Sequence, residues 1–241
     1  MFNIFSILFL SIAIHEFGHL LMCFVCKVKA DEYAIGFGRK LFGFDFKGTH
    51  YALRMIPFGG FVQMNTDSYT NSSRKAKVAI CLGGPLINII TFSLIIIGLF
   101  TYRTNDIGAA ILGFLSITPD IASSFSTAAS NPDNLQGPIG ILTDKSASEV
   151  IQSPTKAFDW INYLSVLASI NLSLAISNLF PLPMLDGGQV VSIVMDKYFS
   201  KFPIILKVYT IGGNFILGLL LVGIMSKDIW KLINPLIQSL N

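Results

Sequence analysis

Apolar residues in this chain come in blocks rather than stripes. Four blocks reach the roughly 20 residues that a helix needs to cross a bilayer: about Ile4 to Val25, Val78 to Phe100, Ile161 to Phe180, and Ile204 to Ile224. A fifth, Ile107 to about Ala129, is interrupted by Pro119 and Asp120 and diluted by Ser and Thr, so it is expected to lie in the interface. The pattern changes between the first two blocks. From Tyr33 to Met64, aromatic and β-branched residues partly alternate and are separated by glycines, which predicts hairpins whose strands dip into the bilayer surface. The segment from Thr101 to Lys156 carries turn signals at Asn131-Pro132 and Gly137-Pro138 and is too short for a second folded domain of ordinary size. The expected fold class is therefore an α-helical integral membrane protein. It has about four transmembrane helices and a membrane-associated β-hairpin region on the cytoplasmic side, all within one domain over residues 1–241.

Composition agrees with the blocks. Of the 241 residues, 52% are hydrophobic and 13% charged, where soluble domains carry about 25% charged residues. Mean hydropathy is +0.64. A net charge of +3, with no basic stripe interleaved with aromatics, excludes a nucleic-acid partner and leaves the lipid bilayer as the medium. Cys23, Cys26 and Cys81 fall in or beside apolar runs; Cys23 and Cys26 form a C-x-x-C with no second pair after it, and are read as membrane-helix cysteines. Met1 to Ile14 has neither a basic flank nor a small-residue cleavage site and is expected to be retained rather than removed as a signal peptide.

The cationic residues set an orientation. Nine of the 17 Lys and Arg residues, from Lys27 to Lys77, lie between the first and second blocks, while the next loop holds only Arg103, Lys145 and Lys156. Positive loops face the cytoplasm. Four spans then leave both termini on the outer side. They also bring the end of the first span and the connection from Pro181 to about Pro203 to the same cytoplasmic face.

Against this apolar background the polar exceptions carry the chemistry. His15-Glu16-Phe17-Gly18-His19 is an H-E-x-x-H inside the first span. Residues at i and i+4 share a helix face, so both imidazoles can bind one metal ion while Glu16 reaches a water on it. Ionisable groups inside a span are costly, which argues against an ornamental cluster. Catalytic zinc takes three protein ligands, so a third is required. His50 is one candidate, in the hairpin region. Asp186 is the better one: Pro181 and Pro183 break the third span, and Gly187-Gly188 let the chain turn closely, which holds a carboxylate at a fixed depth on the cytoplasmic side.

These motifs resemble the site-2 protease family of intramembrane zinc metalloproteases, most closely its regulator of sigma-E protease branch. The resemblance rests on His15 to His19 and on Asn178-Leu179-Phe180-Pro181-Leu182-Pro183-Met184-Leu185-Asp186-Gly187-Gly188. Ile56 to Met64, Gly84-Pro85-Leu86-Ile87-Asn88 and Asn134 to Ile141 support it. The resemblance implies that His15, His19 and Asp186 bind Zn2+ and that Glu16 is the general base and acid. It further implies that Asn178 holds substrate near the active centre, and that the hairpin, through its Gly59-Gly60 stretch, presents a strand edge to an unwound substrate. The implied substrates are single-pass transmembrane proteins or signal peptides in a bacterial inner membrane. This chain departs from the branch in lacking the PDZ domains expected between the second and third blocks. Two other readings are a surface-acting membrane metalloprotease and a non-catalytic zinc-binding scaffold or substrate-holding pseudoprotease. Glu32 and Glu149 sit in loops, without the helix context that the first needs; the intact His15, Glu16, His19 and Asp186 argue against the second.

Overall fold

A computed structural model describes residues 4–116, 160–199 and 202–238. The expected interfacial stretch beyond Ser116 and the Asn134 to Ile141 motif lie outside the described residues. Described elements follow in the order α1 (Ile4–Val25), β1 (Ala30–Phe46), β2 (Thr49–Met64), α2 (Thr66–Thr70), α3 (Arg74–Thr104), α4 (Ile107–Ser116), α5 (Trp160–Asn178), α6 (Asp186–Phe199) and α7 (Pro203–Gln238).

Three helices are long and apolar enough to cross a membrane: α1 over Ser6–Val25, α3, and α5. Among the described residues these three correspond to the first three of the four expected spans. The fourth block is helical throughout, inside α7, but the apolar run described there is the shorter Ile204–Ile216. Leu10, Phe17, Leu21 and Phe24 on α1, and Leu86, Ile90 and Leu94 on α3, are exposed large apolar side chains. Such faces are stable against hydrocarbon, where a helix satisfies its own backbone groups.

Local chemistry sets the ends of these helices. Helix α1 stops where Lys27 enters the left-handed region (φ 57°), and the Val28 N–H closes onto the Cys23 carbonyl at 2.9 Å, a C-terminal cap. Helix α3 contains Pro85 just after Gly83-Gly84. Proline has no N–H and removes the bond to the carbonyl four residues earlier. Helix α5 ends ahead of Pro181 and Pro183, as expected.

The chain divides into two compact units, one of residues 2–96 with 159–210 and the other of 97–158 with 211–241. In the second unit, Asp106 starts α4: its Oδ1 accepts from the Gly108 N–H at 2.7 Å and the Ala109 N–H at 3.3 Å. The first unit holds the sheet and every residue discussed below.

The hairpin expectation is met by β1 and β2, which pair antiparallel with several register shifts, and the pairing is more folded than one hairpin. Lys40 to Phe46 pairs with Arg54 back to Thr49. Residues 33–35 meet two stretches at once: 62 back to 60 on one side, with indices opposed, and 51–53 on the other, with indices rising together. Residues 60–64 pair only with 30–35 among the described residues, so they form a sheet edge. Phe37, Phe42, Phe44 and Phe46 are exposed at the far part of the sheet. A buried cluster of Leu20, Cys23, Val28, Ala30 and Ile80 joins the end of α1, the start of β1 and the first turns of α3. The Tyr33 hydroxyl donates to the Ala13 carbonyl of α1 at 2.9 Å, tying the sheet to that helix.

Candidate metal centre

His15 and His19 lie one helical turn apart on α1. Their rings meet edge to face with centroids 4.9 Å apart, and both Nε2 atoms point to the same place, 3.3 Å from each other. Asp186 opens α6 and sends its Oδ2 to that place, 3.1 Å from His15 Nε2 and 3.4 Å from His19 Nε2. His15 is 6% exposed and Asp186 7%, burial that an unpaired carboxylate rarely tolerates. Asp186 is placed by the main chain around it. A Cβ at Gly187 would lie 2.7 Å from the Phe180 carbonyl oxygen, and one at Gly188 2.7 Å from the Pro183 nitrogen, each with closer clashes on Leu179 and Leu182. Only glycine lets the Pro181 to Leu185 turn pack this tightly onto α6. The Tyr209 hydroxyl of α7 clasps the turn, donating to the Pro181 carbonyl at 2.9 Å.

Three facts test whether these residues fit a metal. First, the triangle of Nε2, Nε2 and Oδ2 has edges of 3.1, 3.3 and 3.4 Å. Ligand atoms held tetrahedrally at about 2.0–2.1 Å from one zinc stand roughly 3.3–3.4 Å apart. Second, Asp186 Oδ2 is a buried oxygen with no hydrogen-bond partner, although two imidazole nitrogens face it. A carboxylate oxygen and two imidazole nitrogens converging on one point are a donor set that suits a cation. Third, His15, His19 and Asp186 are the one metal-competent group of this kind among the described residues. Burial raises the Asp186 pKa, and the two facing imidazoles of His15 and His19 outweigh it and leave the carboxyl below its usual range.

The neighbours of this triangle come from α3. Ile80 offers its backbone carbonyl to His19 Nδ1 at 2.7 Å. The side-chain amide of Asn88, fully buried, stands 3.1 Å from His15 Nδ1. Between them Gly84 packs directly on both rings: a Cβ there would lie 2.7 Å from His15 Nε2 and closer still to His19 Nε2. Glu16, next to His15, turns toward the sheet, where its Cγ would lie 2.8 Å from a Cβ at Gly60. Gly59 has φ 110° and packs against the Phe37 ring.

The other expected site residues fall as follows. His50 is not with the triangle; it pairs with Asp45 at 2.8 Å and with Lys40 at 3.1 Å in the sheet. Asn178 donates its amide to the Leu174 carbonyl at 2.9 Å, at the end of α5. Cys23, Cys26 and Cys81 are free thiols. Sequence reading gave no role to Gly84, Asn88 or Ile80. The Gly84 to Asn88 motif was a signal for the first two, but a backbone carbonyl leaves none.

The sequence resembles those of known proteins. The chain is 38% identical to a Clostridium acetobutylicum protein provisionally named as a zinc metalloprotease, over 87 residues that are 33% of this chain and 26% of that one. It is 28% identical to the regulator of sigma-E protease RseP of Escherichia coli over 162 residues, 62% of this chain and 32% of that one. A Fusobacterium nucleatum protein, also provisionally named as a zinc metalloprotease, is 24% identical over 338 positions covering 93% of this chain and 97% of that one. The chain thus spans about a quarter to a third of the length of several relatives that it matches, and nearly all of one. Residues 3–222 match the model of peptidase family M50, and with that span the chain belongs to this family.

Proposed function

We propose that this chain is an intramembrane zinc endopeptidase that cuts peptide bonds within or near transmembrane segments of membrane proteins or signal peptides. The observation that carries the reading is the ligand triangle of His15, His19 and Asp186, whose two histidines lie on a helix itself apolar enough to cross a bilayer. A zinc ion held by these three residues supplies a Lewis acid that activates water and polarises the scissile carbonyl. Glu16 accepts the proton of the attacking water and delivers it to the leaving amine nitrogen, a role worth about 10²–10⁴-fold in rate. The free edge of residues 60–64 runs past Glu16 at Gly60. A substrate helix hides its peptide bonds in internal hydrogen bonds, and strand addition at this edge replaces them once the helix unwinds. Asn178, at the end of α5, holds the substrate near the centre.

The cationic first loop supports a cytoplasmic position for the site, in a bacterial inner membrane. A single membrane-embedded domain without PDZ insertions is supported by the Fusobacterium comparison. Its 338 aligned positions exceed the 241 residues of this chain, so a stretch of that relative's interior has no counterpart here.

The test pairs zinc content with cleavage of a short transmembrane substrate in liposomes, for the native chain and Glu16→Gln. The expected result is about one zinc in both, with cleavage only in the native chain. Zinc in both and cleavage in neither, across several substrates, would favour the substrate-holding scaffold. Cleavage that survives Glu16→Gln would overturn the assignment of the base.

A further inference from the structure

Helix α3 faces the two histidines with a repeat of four residues. Ile80, Gly84 and Asn88 stand at i, i+4 and i+8, on one helix face. Their order runs opposite to that of α1: Ile80 meets His19, Gly84 touches both rings, and Asn88 meets His15. A contact between Gly18 and Gly83, where a Cβ on Gly83 would lie 2.5 Å from the Gly18 carbonyl, brings the two helices this close.

A histidine that binds metal through Nε2 carries its proton on Nδ1, and that proton needs an acceptor. For His19 the acceptor is the Ile80 carbonyl. For His15, Asn88 is the one described hydrogen-bond partner of Nδ1. In the recorded orientation Asn88 Nδ2 donates to His15 Nδ1, which would put the ring proton on Nε2, where the metal belongs. Asn88 Oδ1 is meanwhile buried with no partner. A half-turn of the amide exchanges nitrogen and oxygen at nearly unchanged shape. It leaves one unpartnered amide group in either orientation, so the proton on His15 decides between them.

We infer that Asn88 is a positioning residue for the metal centre: its Oδ1 accepts the Nδ1–H of His15 and thereby fixes the tautomer and rotation that aim Nε2 at zinc. This rests on the zinc-centre reading above. Helix α3 acts as a template that orients both imidazoles, one through a backbone carbonyl and one through a side-chain amide. Loss of such an outer partner weakens metal binding by about 10- to 100-fold.

The experiment measures zinc dissociation constants by chelator competition, and cobalt-substituted absorption spectra, for the full chain and for Asn88→Leu and Asn88→Asp. Asn88→Leu keeps the branched shape and loses the acceptor; Asn88→Asp keeps the acceptor and adds a charge. The positioning role predicts about 10- to 100-fold weaker zinc and an altered cobalt spectrum for Asn88→Leu, with affinity kept or raised in Asn88→Asp. A packing role predicts the reverse order, since a buried leucine is tolerated and a buried carboxylate is not, and that result would overturn the inference. Should Asn88→Leu fail to fold, long-range proton–nitrogen NMR of the zinc-loaded native chain decides instead. A proton on His15 Nδ1 supports the inference, and ligation through Nδ1 overturns it. Absence of zinc binding by the native chain, or binding undiminished by His15→Ala, would refute the zinc-centre reading itself.

Discussion

Gly84→Ala sets two effects of known size against each other at one position. Gly84 is buried inside α3 with both imidazoles against it, so the new methyl would lie 2.7 Å from His15 Nε2 and Cε1. Ordinary contact begins at 3.4 Å, which requires the ring to retreat by about 0.7 Å. Metal–ligand distances hold to within about 0.2 Å, so the displacement is too large for the ring to remain a good ligand. Overpacking of this kind costs ~1–3 kcal/mol, which in a dissociation constant is roughly 5- to 150-fold. Helix propensity runs the other way, because alanine in a helix interior gains about 1 kcal/mol over glycine. In the metal-free protein no metal bond fixes the imidazoles against Gly84, so small shifts of the rings relieve part of that cost and the helix gain offsets the remainder. The expected outcome is a metal-free variant that melts no lower than the native chain, binds zinc ~5- to 150-fold more weakly and shows a smaller zinc-induced rise in Tm. Chelator competition and thermal melts in detergent, with and without zinc, read both. A Gly84→Ala chain that binds zinc as tightly as the native one would refute the close packing of α3 on the histidines.

Two further outcomes test the surroundings. Tyr33→Phe removes the hydroxyl that donates to the Ala13 carbonyl; the docking of the sheet onto α1 should weaken by ~0.5–1.5 kcal/mol, seen as faster amide exchange over residues 30–35. Unchanged exchange there would mean that the contact holds nothing. Tyr69 has its pKa pushed up to about 12, by burial first and then by its neighbour Cys81. A raised folded value means that its contribution to stability is complete below pH ~10 and lost as pH rises toward 12. The difference in ultraviolet absorbance between native and Tyr69→Phe chains should therefore show no tyrosinate step at pH 10, and a step there would sink the prediction.

The sequence shows the helices well because bilayer spans are written in long apolar blocks. Ile4 to Val25 matches α1, and the second and third blocks fall within a few residues of α3 and α5. The fourth block differs in length rather than in type: the helix runs on to Gln238, past the last apolar position expected of a span. The hairpin region was legible as strands but not in its pairing. Residues 33–35 bond to two partner stretches, and alternation along the chain says nothing about which stretches meet. At the site, His15 and His19 announce themselves by helical spacing and Asp186 by the glycines behind it. Gly84 and Asn88 stand out only as a motif and not in their roles, because what they touch lies on a helix some 70 residues away.

The turn that presents Asp186 is held by carbonyl oxygens packed on Gly187 and Gly188 rather than by the side chains it displays. Met184 beside it is 66% exposed. Evolutionary drift at such outward positions can therefore proceed without disturbing the carboxylate. The turn is free to change its outer surface while two glycines keep the carboxylate where it was.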